Sequence, residues 1–320
     1  MRRPITIFSG QWSDLSFDEA CSIFSSIGYE GVEISCRGRH LDPVRAVKEP
    51  AYVKEHKDIL EKYNLKCFAI SDHFTGHCVG SDEQLESFVP ENLIGKPTEI
   101  RAWAVEKMKY VAHTAAAMGV DVVTGFMGSP IWKYFYSGKT KERVEAGYDL
   151  IVEVWSGIFD VFDELGIKFA LEPYPTQIAY DYYTTQKLLE KFNRRPTLGL
   201  NFDPSHLIWN MVDPVMFVHD FADRIYHVHI KDTKLNYNGR NSVLNSHLSS
   251  SSDTRRGWTF VSPGRGDVDF EALIREFDHI GYYGPLSIEW EDWGMDRVFG
   301  ATEAYEFTKK INFPPSARNM

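Results

Sequence analysis

The stretch Thr197-Leu198-Gly199-Leu200-Asn201-Phe202-Asp203-Pro204-Ser205-His206 runs from a strand-like apolar pattern into a helix-like segment. Side chains alternate along a strand, so Leu198, Leu200 and Phe202 share one face and Gly199, Asn201 and Asp203 the other. Asp203 and His206 then stand at a strand exit, where a carboxylate and an imidazole can face one opening. Whether that opening is a site depends on what the other strands bring to it.

Three more segments repeat the pattern. In Ile167–Glu172, Ile167, Phe169 and Leu171 oppose Lys168, Ala170 and Glu172. In Ile225–Lys231, Tyr226, Val228 and Ile230 oppose His227, His229 and Lys231. In Pro285–Trp290, Leu286, Ile288 and Trp290 oppose Ser287 and Glu289, with Glu291 continuing that parity. The bulky face must meet outer helices, so the polar face looks inward. Each inward face ends in a group able to hold a metal: Glu172, Asp203, His229 and Glu289. Burying such groups together is costly unless something pairs with them. Three carboxylates and one imidazole suit one divalent cation, Mn²⁺ first, with Mg²⁺, Co²⁺ or Zn²⁺ as alternatives. The other reading is a hydrogen-bonded polar core without an ion.

The same alternation runs through the chain. Strands are expected at Ile5–Phe8, Gly31–Ser35, Lys66–Ser71 and Val120–Gly125, and then at the four segments around Glu172, Asp203, His229 and Glu289. Helices are expected at Ser16–Ile27, Tyr52–Tyr63, Ile100–Met118, Arg143–Leu165, Thr184–Phe192, Pro214–Phe221, Phe270–Ile280 and Ala301–Ile311. Strict strand–helix alternation implies a parallel sheet, and eight such units imply a closed (β/α)8 TIM barrel, an α/β fold with a single domain over 1–320. An open doubly wound sheet is the alternative, but no G-x-G-x-x-G follows the first strand. Four long loops, Arg37–Pro50, His73–Glu99, Phe126–Glu142 and Thr233–Asp269, follow strands and so extend the C-terminal mouth.

Composition narrows the function classes. The 320 residues are 43% hydrophobic and 25% charged, ordinary for a globular protein. A net charge of −10 argues against nucleic acid and anionic membrane as partners. Aromatic residues reach 14%, which suits a sugar pocket or a homo-oligomer interface. Cys21, Cys36, Cys67 and Cys78 form no C-x-x-C pair, so reduced thiols are expected. The start, Met1-Arg2-Arg3-Pro4, is basic without a long apolar run, and no stretch approaches the roughly 20 apolar residues of a membrane span. A cytoplasmic protein is expected.

With these residues in hand, the chain resembles the sugar phosphate isomerase/epimerase superfamily of xylose-isomerase-like barrels. The motifs are Leu171-Glu172-Pro173, Asn201-Phe202-Asp203-Pro204-Ser205-His206, His227-Val228-His229-Ile230-Lys231-Asp232, Ser262-Pro263-Gly264-Arg265-Gly266 and Ser287-Ile288-Glu289-Trp290-Glu291-Asp292. The resemblance implies one divalent metal on Glu172, Asp203, His229 and Glu289. By likeness to the ketose 3-epimerases it implies that Glu172 and Glu289 move protons and that His206 binds substrate. The chemistry expected of such a site is proton abstraction beside a metal-polarised carbonyl, through an enediolate. Returning the proton gives epimerisation or isomerisation. Expelling a β-substituent gives elimination, as in lyases of 3-keto or C-glycosides, some of which need a small partner subunit. A non-catalytic sugar-binding barrel is the third reading. The serine-rich Thr233–Ser262 segment is longer than simple epimerases need, which leaves the sugar or glycoside open.

Other residues are weighed on both sides. Lys231 either stabilises developing negative charge or pairs with Glu289 or Glu291. His206 either contacts a substrate oxygen or caps the following helix. His73 and His77 either reach the mouth or are loop surface. Arg265, in a Gly-rich turn, is a candidate for a sugar hydroxyl or phosphate. Trp132, with Trp12, Tyr134 and Phe135, is a candidate for stacking on a sugar face. His227 is expected as a hydrogen-bonded core residue, Glu33 as an inward neighbour of the metal ligands, and Asp232 as a structural partner of a nearby loop.

Overall fold

The computed structural model describes residues 2–81 and 87–314. Part of the loop expected at 73–99, residues 82–86, lies outside the described residues. Among the described residues ten strands occur in chain order: β1 (Ile5–Phe8), β2 (Gly31–Ser35), β3 (Lys66–Ser71), β4 (Val122–Gly125), β5 (Lys168–Leu171), β6 (Leu198–Phe202), β7 (Ile225–Ile230), β8 (Asp232–Leu235), β9 (Trp258–Val261) and β10 (Leu286–Ile288). Eight of them close a parallel barrel in the order β1-β10-β7-β6-β5-β4-β3-β2, and β2 pairs back onto β1. This is a (β/α)8 TIM barrel. Closure removes every strand edge, and the register sets Ser287 beside His229 and Asn201 beside His227.

The outward faces carry the core. Phe169 of β5 packs against Trp155, Phe159 and Phe162 of the helix Lys141–Leu165, with ring centroids 4.9, 5.8 and 5.9 Å away. The helices begin and end where local chemistry says they should. Ser16 and Glu19 form a reciprocal capping box at the start of Phe17–Ile27. Gly28 closes that helix at φ +113°, and a Cβ there would press on the Tyr305 ring. Among the described residues no helix is long and apolar enough to cross a membrane.

The strands that carry the candidate ligands are shorter than the alternation predicts. β5, β6 and β10 stop one or two residues earlier, so Glu172, Asp203 and Glu289 sit just past the ladder. The expected loops also carry structure of their own, including the short helices Pro43–Lys48 and Asn245–Leu248, and two further elements bear on the site. The first is the helix His73–Gly80. Its glycines disguise it, Gly76 inside and Gly80 at the end, since each disfavours a helix. They are there because the helix lies against the chain after β4: a Cβ at Gly76 would collide with the Phe126 carbonyl. The second is the antiparallel hairpin β8–β9, paired from Asp232↔Val261 to Leu235↔Trp258. Asp232 anchors it by accepting from the backbone N–H of Thr233, Gly264, Gly266 and Val268 at 2.8–3.2 Å. Trp258 stacks on Trp209 at 4.6 Å and 8°, so the serine-rich insertion is docked onto the barrel.

Candidate active site

The floor of the site is Glu33 of β2, fully buried inside the barrel. It accepts from Thr124 Oγ1 at 2.6 Å, Ser287 Oγ at 2.8 Å, and Nε2 of both His227 and His229 at 2.9 Å. Burial pushes its carboxyl up, but the two imidazoles outweigh that and hold it well below the usual carboxylate range. With Nε2 engaged below, Nδ1 of His229 points up the barrel. It lies 2.8 Å from Glu289 Oε2 and 3.3 Å from Glu172 Oε2.

Glu172, Asp203, His229 and Glu289 each offer one donor atom within 4.8 Å of the others, and all four residues are buried. Their remaining atoms are already committed. Glu172 accepts from Asn201 Nδ2 at 2.8 Å and faces Nε2 of His73 and of His206 at 3.0 Å each. Asp203 Oδ1 caps the helix Pro204–Trp209 by accepting from Ser205 N at 2.8 Å. Glu289 Oε1 faces Gln11 Nε2 and Lys231 Nζ, both at 3.2 Å.

Two buried oxygens, Asp203 Oδ2 and Glu289 Oε2, accept no hydrogen bond. An imidazole nitrogen stands beside each, His206 Nε2 at 3.2 Å from Asp203 Oδ2 and His229 Nδ1 at 2.8 Å from Glu289 Oε2. Burial raises the Glu289 carboxyl, yet Lys231 and His229 hold it at about 2. Burial likewise lowers His206, but Asp203 and Glu172 lift it to about 9. The centre is thus a pocket of ionised oxygens around one imidazole nitrogen. Buried, hydrogen-bond-free carboxylate oxygens at one point are what a divalent cation satisfies, so these residues fit such an ion.

The family model for xylose isomerase-like TIM barrels matches residues 22–311. The chain belongs to that family. Within it, the chain is similar to an inosose dehydratase of Clostridium botulinum (strain Alaska E43 / Type E3), with 26% identity over 291 residues, 86% of this chain and 82% of that one. It is similar to the uncharacterized protein YfiH of Bacillus subtilis (strain 168), with 24% identity over 311 residues, 92% and 95% of the two chains. In structure it resembles an L-ribulose 3-epimerase, with a TM-score of 0.67 at 17% identity over 98% of this chain and 95% of that chain.

In this xylose isomerase-like barrel a cavity of about 810 Å³ opens above the ligand cluster. Glu172, Glu289, His206 and Lys231 line it, whereas Asp203 and His229 do not. His73 reaches it too: its Nδ1 meets Ser71 Oγ at 2.7 Å and its Nε2 meets Glu172. His77 lines the same wall and meets Gln177 Nε2 at 2.7 Å. Lys231 does what one of its two readings required, pairing with Glu289 and with Glu291 at 3.1 Å, while its Nζ also sits 4.3 Å over the Phe260 ring. His227 is the hydrogen-bonded core residue expected of it.

Two residues expected to contact substrate stand outside the cavity lining. Arg265 points away from the cavity and is half-exposed, held by both oxygens of Glu303 at 2.7 Å on the last helix. Trp132 lies outside the lining as well. Its Nε1 donates to the Gln177 carbonyl at 2.8 Å and its ring stacks on Phe135, so it braces the wall from behind. Trp12 is buried against Phe24, and Tyr134 and Phe135 are also absent from the lining. Gln11, Asn201 and Phe260 were missed. Asn201 shares the inward parity of Asp203 and was findable. Gln11 sits in a short turn after β1, and Phe260 arrives on the unforeseen hairpin.

Proposed function

We propose that this barrel is a divalent-metal-dependent isomerase or epimerase that removes a proton from a carbon next to a carbonyl of a sugar or polyol, with Mn²⁺ as the first candidate ion. One observation carries the reading. Glu172 and Glu289 both line the cavity, and both reach the Nδ1 corner of His229, at 3.3 and 2.8 Å. When bound, the cation supplies Lewis-acid polarisation of a substrate carbonyl oxygen.

The chain's own groups do the rest. Glu172 and Glu289 are held ionised and are acceptors for the proton on carbon. For Glu172, burial works against ionisation and is outweighed by His73, His206 and His229. Two such carboxylates at one cavity allow one to take the proton and the other to return it. Lys231 keeps Glu289 charged and places a cation beside any developing oxyanion. His206, wedged between Glu172 and Asp203, presents a donor at the cavity wall.

A second reading is elimination of water, and the relative named as an inosose dehydratase favours it. It needs an acid for the departing hydroxyl, and His73, hydrogen-bonded to Glu172, is placed to serve. The test is incubation of Mn²⁺-loaded protein with ketoses and keto-polyols in heavy water, followed by NMR. Deuterium at the carbon next to the carbonyl, with the molecular formula kept, supports the main reading. Deuterium with loss of water supports the second. Absence of exchange across the panel contradicts both.

A further inference from the structure

Phe202 of β6 turns outward and holds two helices. Its ring packs on Phe217 of the helix Pro214–Asp220 at 6.3 Å and on Phe277 of the helix Phe270–His279 at 5.9 Å. Residues next to these anchors therefore meet on the outer surface of the barrel. Glu276 and His279 are three residues apart on one helix face. His219 comes from the other helix.

Nδ1 of His219 lies 3.0 Å and Nδ1 of His279 lies 3.1 Å from the same oxygen, Oε1 of Glu276. The two rings stack with centroids 5.5 Å apart and planes at 18°. One donor atom from each residue lies within 4.8 Å of the others. A tetrahedral Zn²⁺ with bonds of roughly 2.0–2.1 Å separates its donors by about 3.3 Å, so each imidazole nitrogen stands within a few tenths of an ångström of that spacing from the Glu276 oxygen. Both imidazoles are more than half exposed, which gives a hydrated ion access.

We propose that His219, Glu276 and His279 form a second metal site, for Zn²⁺ or another nitrogen-preferring divalent ion, that clips the two outer helices together. Its donor set, two nitrogens and one oxygen with an open position, differs from the oxygen-rich mouth. The two sites should therefore sort metals: Mn²⁺ to the mouth, Zn²⁺ to both. Zinc found in purified protein would then not report on the mouth alone.

The test is metal content after chelator treatment and equilibrium dialysis against excess Zn²⁺, for the wild type, His219→Ala/His279→Ala and Asp203→Asn/Glu289→Gln. Each double variant should lose one zinc equivalent of the two held by the wild type. The surface variant should keep its far-UV spectrum and its Mn²⁺ binding. Equal zinc in the wild type and the surface variant would overturn the proposal. If the mouth alone failed to bind metal, the wild type would hold one equivalent and the surface variant none, so the two readings fail separately.

Discussion

Nε2 of His229 lies 2.9 Å from Oε2 of Glu33, and this contact turns the other ring nitrogen toward the cavity. An ionised carboxylate oxygen can only accept, so Nε2 carries a proton, and Nδ1 is the ring nitrogen left to face an ion. A buried partner of this kind fixes tautomer and orientation for a metal-binding imidazole.

Glu33→Gln should therefore weaken Mn²⁺ binding by about 10–100-fold, because the amide oxygen is a poorer acceptor for two imidazole N–H groups. Isothermal titration of the stripped protein measures it. Unchanged affinity would mean that the ring is oriented by its packing alone.

Glu172→Gln keeps an oxygen near the centre but cannot take a proton. Turnover of whichever substrate shows exchange should fall by about 10²–10⁴-fold. Glu289→Gln should do the same if both carboxylates act, and loss in one variant only would point to a single base. Steady-state kinetics at saturating Mn²⁺ separates lost chemistry from lost metal.

His40, fully buried beside Ser9 Oγ, gives a pH dependence of stability away from the site. Burial lowers its imidazole from 6.5 to about 4. Above pH 6.5 both folded and unfolded chains hold it neutral. As the pH falls from there toward about 4, the unfolded chain gains a proton that the folded chain refuses, so stability is lost. The span corresponds to about 3 kcal/mol. Denaturant melts of the wild type and His40→Gln should diverge in slope across this window and run parallel above it.

Trp258 closes the hairpin onto the barrel, stacked on Trp209 and donating from Nε1 to the Val243 carbonyl at 3.0 Å. Trp258→Ala should cost about 3–5 kcal/mol of packing and release the insertion between β8 and β9. Limited proteolysis should then cut first within 236–257. A variant as resistant as the wild type would show that Asp232 suffices as the anchor.

The barrel was legible because its signal is repeated: on each of the last four barrel strands the outward face is apolar enough to be recognised and the inward face ends in a polar group. Glu172, Asp203, His229 and Glu289 were found together because parity is a property of the strand alone. The positions of Arg265 and Trp132 were not legible, because nothing in a loop's composition says which way it folds back. Arg265 is turned outward by Glu303, 38 residues later, and Trp132 by the carbonyl of Gln177. The helix His73–Gly80 was hidden by glycines whose reason is the nearby carbonyls of Phe126 and Met127, a tertiary fact.

The proposed chemistry needs one divalent cation on Glu172, Asp203, His229 and Glu289. Its most direct test is titration of chelator-stripped protein with Mn²⁺, following the free-ion signal by electron paramagnetic resonance, beside Asp203→Asn/Glu289→Gln. We predict that the wild type removes one equivalent of Mn²⁺ from solution and that the variant removes none. Equal uptake by both proteins, or none by either, would contradict the account.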